Sequence, residues 1–350
     1  MPQTELLPRY LDVEGYHAAV KLLRDVLFVR PGESVVITND TSGDERATKL
    51  VASAAYSLDA VPVEVTFPTR PVAGTDPPKP VAEALQNADV WVELNRTYIL
   101  DSPTQKAAQE AGVRYICLTG VDVDTMVRTI GRLNLDVLFE LGQALADITN
   151  EATHVEMTCA NGTMFTGDYT GRECLPETKD DQPGAVLMLG GQTNFIPIED
   201  TVQGPIVFDG SVWPPDSVGI LLQPLSVTFE NGWGRVEPGG WQAGRLAEWL
   251  AGFNDERMYR FSHFSYGYNP GVLRPSGRVA EDERVFGCVC IGLGSQTVDL
   301  VPEPNEAPSH TDLTILKPTI KLDDQVIEQD GRYVHPRLVE LCRKLGAPGY

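Results

Sequence analysis

A chain of 350 residues with 42% hydrophobic side chains is long enough to bury a sizeable core and, at ordinary domain sizes, to fold as two domains rather than stay disordered. Its 28 Lys and Arg against 49 Asp and Glu leave a net charge of -21, which repels phosphate backbones along any broad surface and argues against a nucleic-acid partner. Met1-Pro2-Gln3-Thr4-Glu5 carries no basic region ahead of an apolar run, and no later stretch reaches the length of a membrane span, so the expected setting is cytoplasmic, away from membranes.

The first part alternates two periodicities. Tyr16 to Val26 repeats apolar residues at helical spacing, and Ser34 to Thr38 is an apolar run of strand length. A helix is predicted from about Glu45 to Leu58, a strand over Val61 to Phe67, a helix over Val81 to Asn87, and strands over Asp89 to Leu94 and Val113 to Leu118. Between them, Val72 to Pro80 is rich in Pro and Gly and reads as a surface excursion. Strands separated by helices imply a doubly wound, mostly parallel sheet covered on both faces. A helix from about Leu133 to Ile148 closes this α/β domain, assigned to residues 1–150.

Residues 151–350 read as a β-rich (α+β) domain of short strand-like runs separated by Gly, Pro, Asn and Asp. Strands are expected at His154 to Thr158, Gly184 to Leu189, Pro205 to Phe208, Ser217 to Leu222, Leu225 to Glu230 and Val285 to Ile291, with one helix from about Gly244 to Phe253. Leu313 to Ile320, Val326 to Glu328 and Arg332 to Val334 form a meander whose turns carry Asp323-Asp324 and Asp330-Gly331.

Six cysteines are scattered through a chain too large to need staples, and reduced thiols are expected. Only Cys288 and Cys290 are close, two apart on one predicted strand. Of the five histidines, His17, His154 and His335 read as structural. His310 stands two residues before Asp312 at a strand entrance, and side chains two apart on a strand share a face, so an imidazole and a carboxylate project together. His263 lies in the aromatic-rich segment Arg260 to Pro270, where an imidazole can be held in a partly dry pocket. Two imidazoles and one carboxylate leave open positions on a divalent metal, an arrangement used by non-haem Fe(II) oxygenases and approached by catalytic zinc sites. Gly292-x-Gly294 reads as a turn, with the Ser295 hydroxyl a candidate catalytic contact. The chain has no Lys-Ser/Thr phosphate loop, Gly-x-Ser-x-Gly elbow or His-Glu-x-x-His.

The segment Gly191-Gln192-Thr193-Asn194-Phe195-Ile196-Pro197-Ile198-Glu199-Asp200, followed by Gly204 and Ile206 to Gly210, resembles a block of the aminopeptidase T metallopeptidases. Across the whole chain the resemblance extends to their redox relatives, the 2,5-dihydroxypyridine 5,6-dioxygenases. Gln192 stands where the peptidases carry a metal-binding glutamate, His263 where they carry a catalytic glutamate, and Cys290 near the place of a ligand histidine. The terminal His310-x-Asp312 pair is kept. The resemblance implies one Fe(II) held by His263, His310 and Asp312, oxygenolytic opening of a small N-heteroaromatic ring with O2, and a homo-oligomer. Gln192 and Tyr266 are then candidate substrate contacts. The loop Leu94 to Pro103 follows a parallel strand, where such sheets place ligand contacts; the family is expected to carry Leu-His there, whereas this chain has Leu100-Asp101, which the resemblance makes candidate catalytic residues. A metal-dependent aminopeptidase is the alternative reading.

Overall fold

The computed structural model describes residues 8–296 and 301–350. The chain divides into two compact units: described residues up to Leu135 together with Thr178–Gly190, and Asp136–Glu177 together with Gly191–Tyr350. Against the single division expected near Asn150, the helix Leu135–Asn150 thus falls almost wholly in the second unit, and a short segment returns to the first.

In the first unit, helix α1 (Pro8–Lys21) widens into a π-helical turn over Leu22–Val26 and leads to strand β1 (Ser34–Asp40). Helix α2 (Glu45–Ser57), capped by Asp44 accepting from the Arg46 amide, buries Ala47, Val51, Ala54 and Ala55 along one face. Strand β2 (Val61–Phe67), helix α3 (Lys79–Leu85), strand β3 (Val90–Glu93), helix α4 (Pro103–Glu110) and strand β4 (Arg114–Cys117) follow. The fifth strand, β5 (Val186–Met188), comes from the returning segment; its pairing with β4 takes it out of the β-rich part, where the sequence pattern had put it. All five are parallel, in the order β2-β1-β3-β4-β5. Because both faces are covered, β1, β3 and β4 are buried at nearly every position, which is why they read as unbroken apolar runs. Trp91 and Tyr115 pack together at a tilt of 36°, with centroids 4.2 Å apart, in the core between strands and helices.

Helix α4 went unpredicted, although Ser102 caps it by accepting from the Gln105 amide and Pro103 occupies its first turn. The order reverses between β1 and β3, so the loops leaving their carboxyl ends diverge. Asp40, ending β1, accepts from the amides of Arg96 and Thr97, and Glu93, ending β3, accepts from the Ile99 amide and the Asn95 side chain, both at 2.6 Å. The loop carrying Leu100 and Asp101 is therefore stitched down by acids. Leu100 packs partly buried on the core, and Asp101 is exposed in a left-handed conformation (φ 67°).

The second unit is built on a seven-stranded antiparallel sheet. Its inner strands are β6 (Gln192–Phe195), β7 (Ser211–Trp213), β8 (Phe261–Gly267), β9 (Cys288–Gly294) and β10 (His310–Leu316), in the spatial order β7-β10-β9-β8-β6, with Gly219–Ile220 and Leu175–Pro176 at the edges. A five-stranded sheet made of the hairpin His154–Thr158/Met164–Asp168 and the C-terminal meander contributes to its core. Phe165, Phe195, Phe264 and Tyr266 form a continuous aromatic cluster there. The predicted turn at Gly292 and Gly294 is instead the end of β9, fully buried: the strand runs three residues later than its apolar pattern suggested. Among the described residues, no helix is long and apolar enough to cross a membrane.

Candidate metal centre

Three adjacent strands assemble the site. On β10, His310 and Asp312 share a face, as their spacing demands, and register sets Gly294 opposite His310 and Gly292 opposite Asp312. On β8 the register slips by one residue between Phe261 and Phe264, a bulge that lets both phenylalanines enter the aromatic core while His263 turns to the other face.

His263 Nε2 lies 3.2 Å from His310 Nε2 and 3.0 Å from Asp312 Oδ1, and His310 Nε2 lies 3.1 Å from the same oxygen. The imidazoles lie nearly parallel, 5.1 Å apart at 16°. Their meeting place is kept open by Gly292 on the central strand: a Cβ there would sit 2.4 Å from His263 Cδ2 and 2.6 Å from both His263 Nε2 and His310 Cε1. Among the described residues, this is the cluster of three or more His, Cys, Asp or Glu whose ligand atoms converge closely enough for one cation.

Each donor is backed by a second group. His310 Nδ1 faces the backbone carbonyl of Ser295 at 2.8 Å, His263 Nδ1 faces the Ser265 hydroxyl at 2.7 Å, and the Cys290 thiol donates toward Asp312 Oδ1 at 3.6 Å. Burial pushes the His263 imidazole down, and Asp312 only partly offsets this. Burial also works against a charge on His310, but Asp312 and the Ser295 carbonyl outweigh it and raise that ring to about 9. The rings differ in their company: burial dominates at His263, with the neighbouring His310 adding a small push down, whereas His310 has the Ser295 carbonyl and the Glu283 carboxylate besides Asp312. Asp312, despite burial, is held well below the usual carboxylate range by the two imidazoles. Donor chemistry, spacing and the open space over Gly292 all fit a divalent cation with neutral imidazole ligands.

The other predicted contacts distribute unevenly. Ser295 is at the site, but the atom that reaches His310 is its main-chain oxygen, not the hydroxyl expected from sequence. Gln192, buried on β6, stands opposite Gly267, on the ligand-bearing face but further along the sheet than His263. Tyr266 alternates with Ser265, so it points into the aromatic core, where its hydroxyl pairs with Thr149 at 3.2 Å. Leu100 and Asp101 belong to the first unit. Cys288, two residues from Cys290, has its thiol on the carbonyls of Asp282 and Glu283. His154 pairs with Asp168 at 2.6 Å and Thr166 at 2.8 Å across a hairpin, and His335 precedes the C-terminal helix Pro336–Leu345. Sequence reasoning missed the roles of Gly292 and Ser265, and it placed Cys290 near a ligand histidine's position without foreseeing that its thiol reaches Asp312. The signal for Ser265 was its i+2 relation to His263; the other two are brought in by cross-strand register.

Comparison with known proteins follows the same lines. The family model described as NicX, 2,5-dihydroxypyridine 5,6-dioxygenase, matches residues 20–335. A curated relative, the 2,5-dihydroxypyridine 5,6-dioxygenase of Pseudomonas putida, is 26% identical over 149 residues, 40% of this chain; the match spans 42% of that relative's length. The solved structure of 2,5-dihydroxypyridine dioxygenase from Pseudomonas putida superposes with a TM-score of 0.75 at 19% identity, covering 95% of this chain and 99% of that one. Wild-type AmpT from Thermus thermophilus superposes at 0.67 with 13% identity, covering 92% and 100%. At these identities the two structural likenesses speak for the fold.

Proposed function

Because the chain belongs to the 2,5-dihydroxypyridine 5,6-dioxygenase family, we propose that it is a non-haem Fe(II) ring-cleaving dioxygenase of extradiol-like type. Its substrate is 2,5-dihydroxypyridine or a close hydroxylated N-heteroaromatic, opened between carbons five and six with O2 to N-formylmaleamate. The setting that goes with this reading is pyridine-ring catabolism in the cytoplasm by a homo-oligomer.

The observation that carries the proposal is the convergence of two imidazole nitrogens and one carboxylate oxygen at 3.0 to 3.2 Å. Two imidazoles and one carboxylate this close would hold one divalent cation through His263, His310 and Asp312 and leave further positions open, the donor set used by non-haem iron oxygenases. When bound, the metal supplies Lewis acidity toward a ring hydroxyl and the redox capacity to couple the ring with O2.

The chain's own residues do the rest. The Ser295 carbonyl and the Ser265 hydroxyl face the Nδ1 atoms of His310 and His263, which would leave each Nε2 available to a bound metal. Gly292 leaves room above the central strand, and Gln192 is a proposed substrate contact on the same face of the sheet. The amide Gln192 in place of the peptidases' ligand glutamate, and Cys290 rather than histidine beside Asp312, support one metal over two.

Anaerobic reconstitution with Fe(II), followed by oxygen-electrode and ultraviolet measurements on 2,5-dihydroxypyridine, tests the reading. Oxygen uptake matched to substrate loss is expected. No uptake by iron-loaded protein with this or related hydroxypyridines overturns it, and peptide turnover without O2 at two metals per chain replaces it with the hydrolase reading.

A further inference from the structure

We propose that Ser265 is a positioning residue that lets His263 adopt the tautomer a metal requires, by acting as hydrogen-bond acceptor at Nδ1. The inference rests on the metal-site part of the reading above and not on the ring chemistry.

A neutral imidazole carries one hydrogen, so a ring that offers Nε2 to a cation keeps its hydrogen on Nδ1 and needs an acceptor there. The two ligand rings meet that need differently. His310 Nδ1 faces the carbonyl of Ser295, an obligate acceptor, so its hydrogen is fixed on Nδ1 whatever Nε2 does. His263 Nδ1 faces a hydroxyl, which accepts or donates with equal ease. With its hydrogen on Nε2, His263 donates to Asp312 and receives the Ser265 hydroxyl at Nδ1. With its hydrogen on Nδ1, it donates to Ser265 and frees Nε2 for the cation. The ring bears one hydrogen in both cases, and rotation of one hydroxyl accommodates either. A main-chain carbonyl or a carboxylate in this place would serve one tautomer alone.

The surroundings make Ser265 hard to replace. It is fully buried, so solvent has no easy access to take its part. It sits two residues along β8 from His263, on the same face, with Asn194 and Cys290 as its cross-strand neighbours. The Cys290 thiol is directed to Asp312, on the carboxylate rather than on the ring.

The test uses the full-length protein and Zn(II) as a diamagnetic probe. Chelator competition measures Zn(II) affinity in the unaltered protein, Ser265→Ala and Ser265→Thr, while long-range 1H–15N correlation of the zinc-loaded protein reports which His263 nitrogen carries hydrogen. Expected are hydrogen on Nδ1, about 10- to 100-fold weaker binding in the Ala variant at unchanged fold, and recovery of most of that loss in the Thr variant. Hydrogen on Nε2 in the zinc-loaded protein overturns the proposal, and so does an Ala variant that loses thermal stability but binds Zn(II) as tightly as before. Where the Ala variant fails to fold, the tautomer in the unaltered protein decides. Zinc binding that behaves as expected in a protein that never consumes 2,5-dihydroxypyridine supports this inference and sinks the ring-cleavage reading instead.

Discussion

Each unit buries a carboxylate on an inner strand, and the two acids live in opposite company. Glu93, at the end of β3, is fully buried among donors: the Tyr115 hydroxyl, the Asn95 amide and the Ile99 backbone N–H all point to it. Asp312, on β10, faces two imidazole nitrogens that can present lone pairs to the same point in space. An acid whose neighbours all donate is satisfied as it stands and holds a loop. An acid whose neighbours are imidazoles, each able to change from hydrogen-bond donor to lone-pair ligand, is also equipped to share a cation with them. Burial alone does not distinguish structure from site; the hydrogen-bonding character of the neighbours does.

The sharpest way to break this contrast is to remove ligands. His310→Ala should abolish stable metal binding and lower activity by on the order of a thousandfold or more, measured as metal content by plasma emission and as oxygen uptake. On the other side, Glu93→Ala leaves three buried donors without their acceptor and should cost about 3 to 5 kcal/mol of stability, read by urea unfolding, with metal content per folded chain unchanged.

The same acid makes a pH prediction. Burial, opposed by its hydrogen bonds, raises Glu93 from 4.5 to about 7. Between those values the folded chain binds the proton that the unfolded chain has lost, so this residue's contribution to stability falls as pH rises from 4.5 to about 7 and is flat above. The fall amounts to roughly 3 kcal/mol, and Glu93→Gln should flatten that part of the stability profile.

Smaller effects sharpen the picture. Gly292 is not in the left-handed region, so alanine there meets no backbone strain, and its Cβ alone would intrude on the two rings. Gly292→Ala is expected to weaken metal binding by on the order of a hundredfold with secondary structure retained, as followed by chelator competition and circular dichroism. Tyr266→Phe removes only the hydroxyl that pairs with Thr149 and should cost about 1 kcal/mol of stability, leaving KM unmoved; a raised KM would restore Tyr266 as a substrate contact.

The comparison also explains what could be read beforehand. In the first unit β1, β3 and β4 were legible because parallel strands buried on both faces are continuous apolar runs, whereas β2, the largely exposed edge strand, was legible from its β-branched run Val61 to Phe67. Helix α4 was overlooked although Ser102, Pro103 and Gln105 spell its start. In the second unit the shared face of His310 and Asp312 followed from strand periodicity alone. The rest of the site did not, because it depends on register between strands far apart in sequence. The β8 bulge breaks the alternation that would have assigned His263 to a face, and it left Tyr266 looking available when it is core. Gly292 and Gly294 suggested a turn because glycine is most often used for one, whereas Gly292 lies inside β9, where space is needed above the strand.

The most direct test of a single metal centre in the second unit is anomalous diffraction at the iron edge from crystals loaded with Fe(II) under anaerobic conditions. One peak per chain is predicted, about 2.1 Å from His263 Nε2, His310 Nε2 and an Asp312 oxygen. Two peaks per chain, or a single peak that leaves out any of these three side chains, would contradict the account.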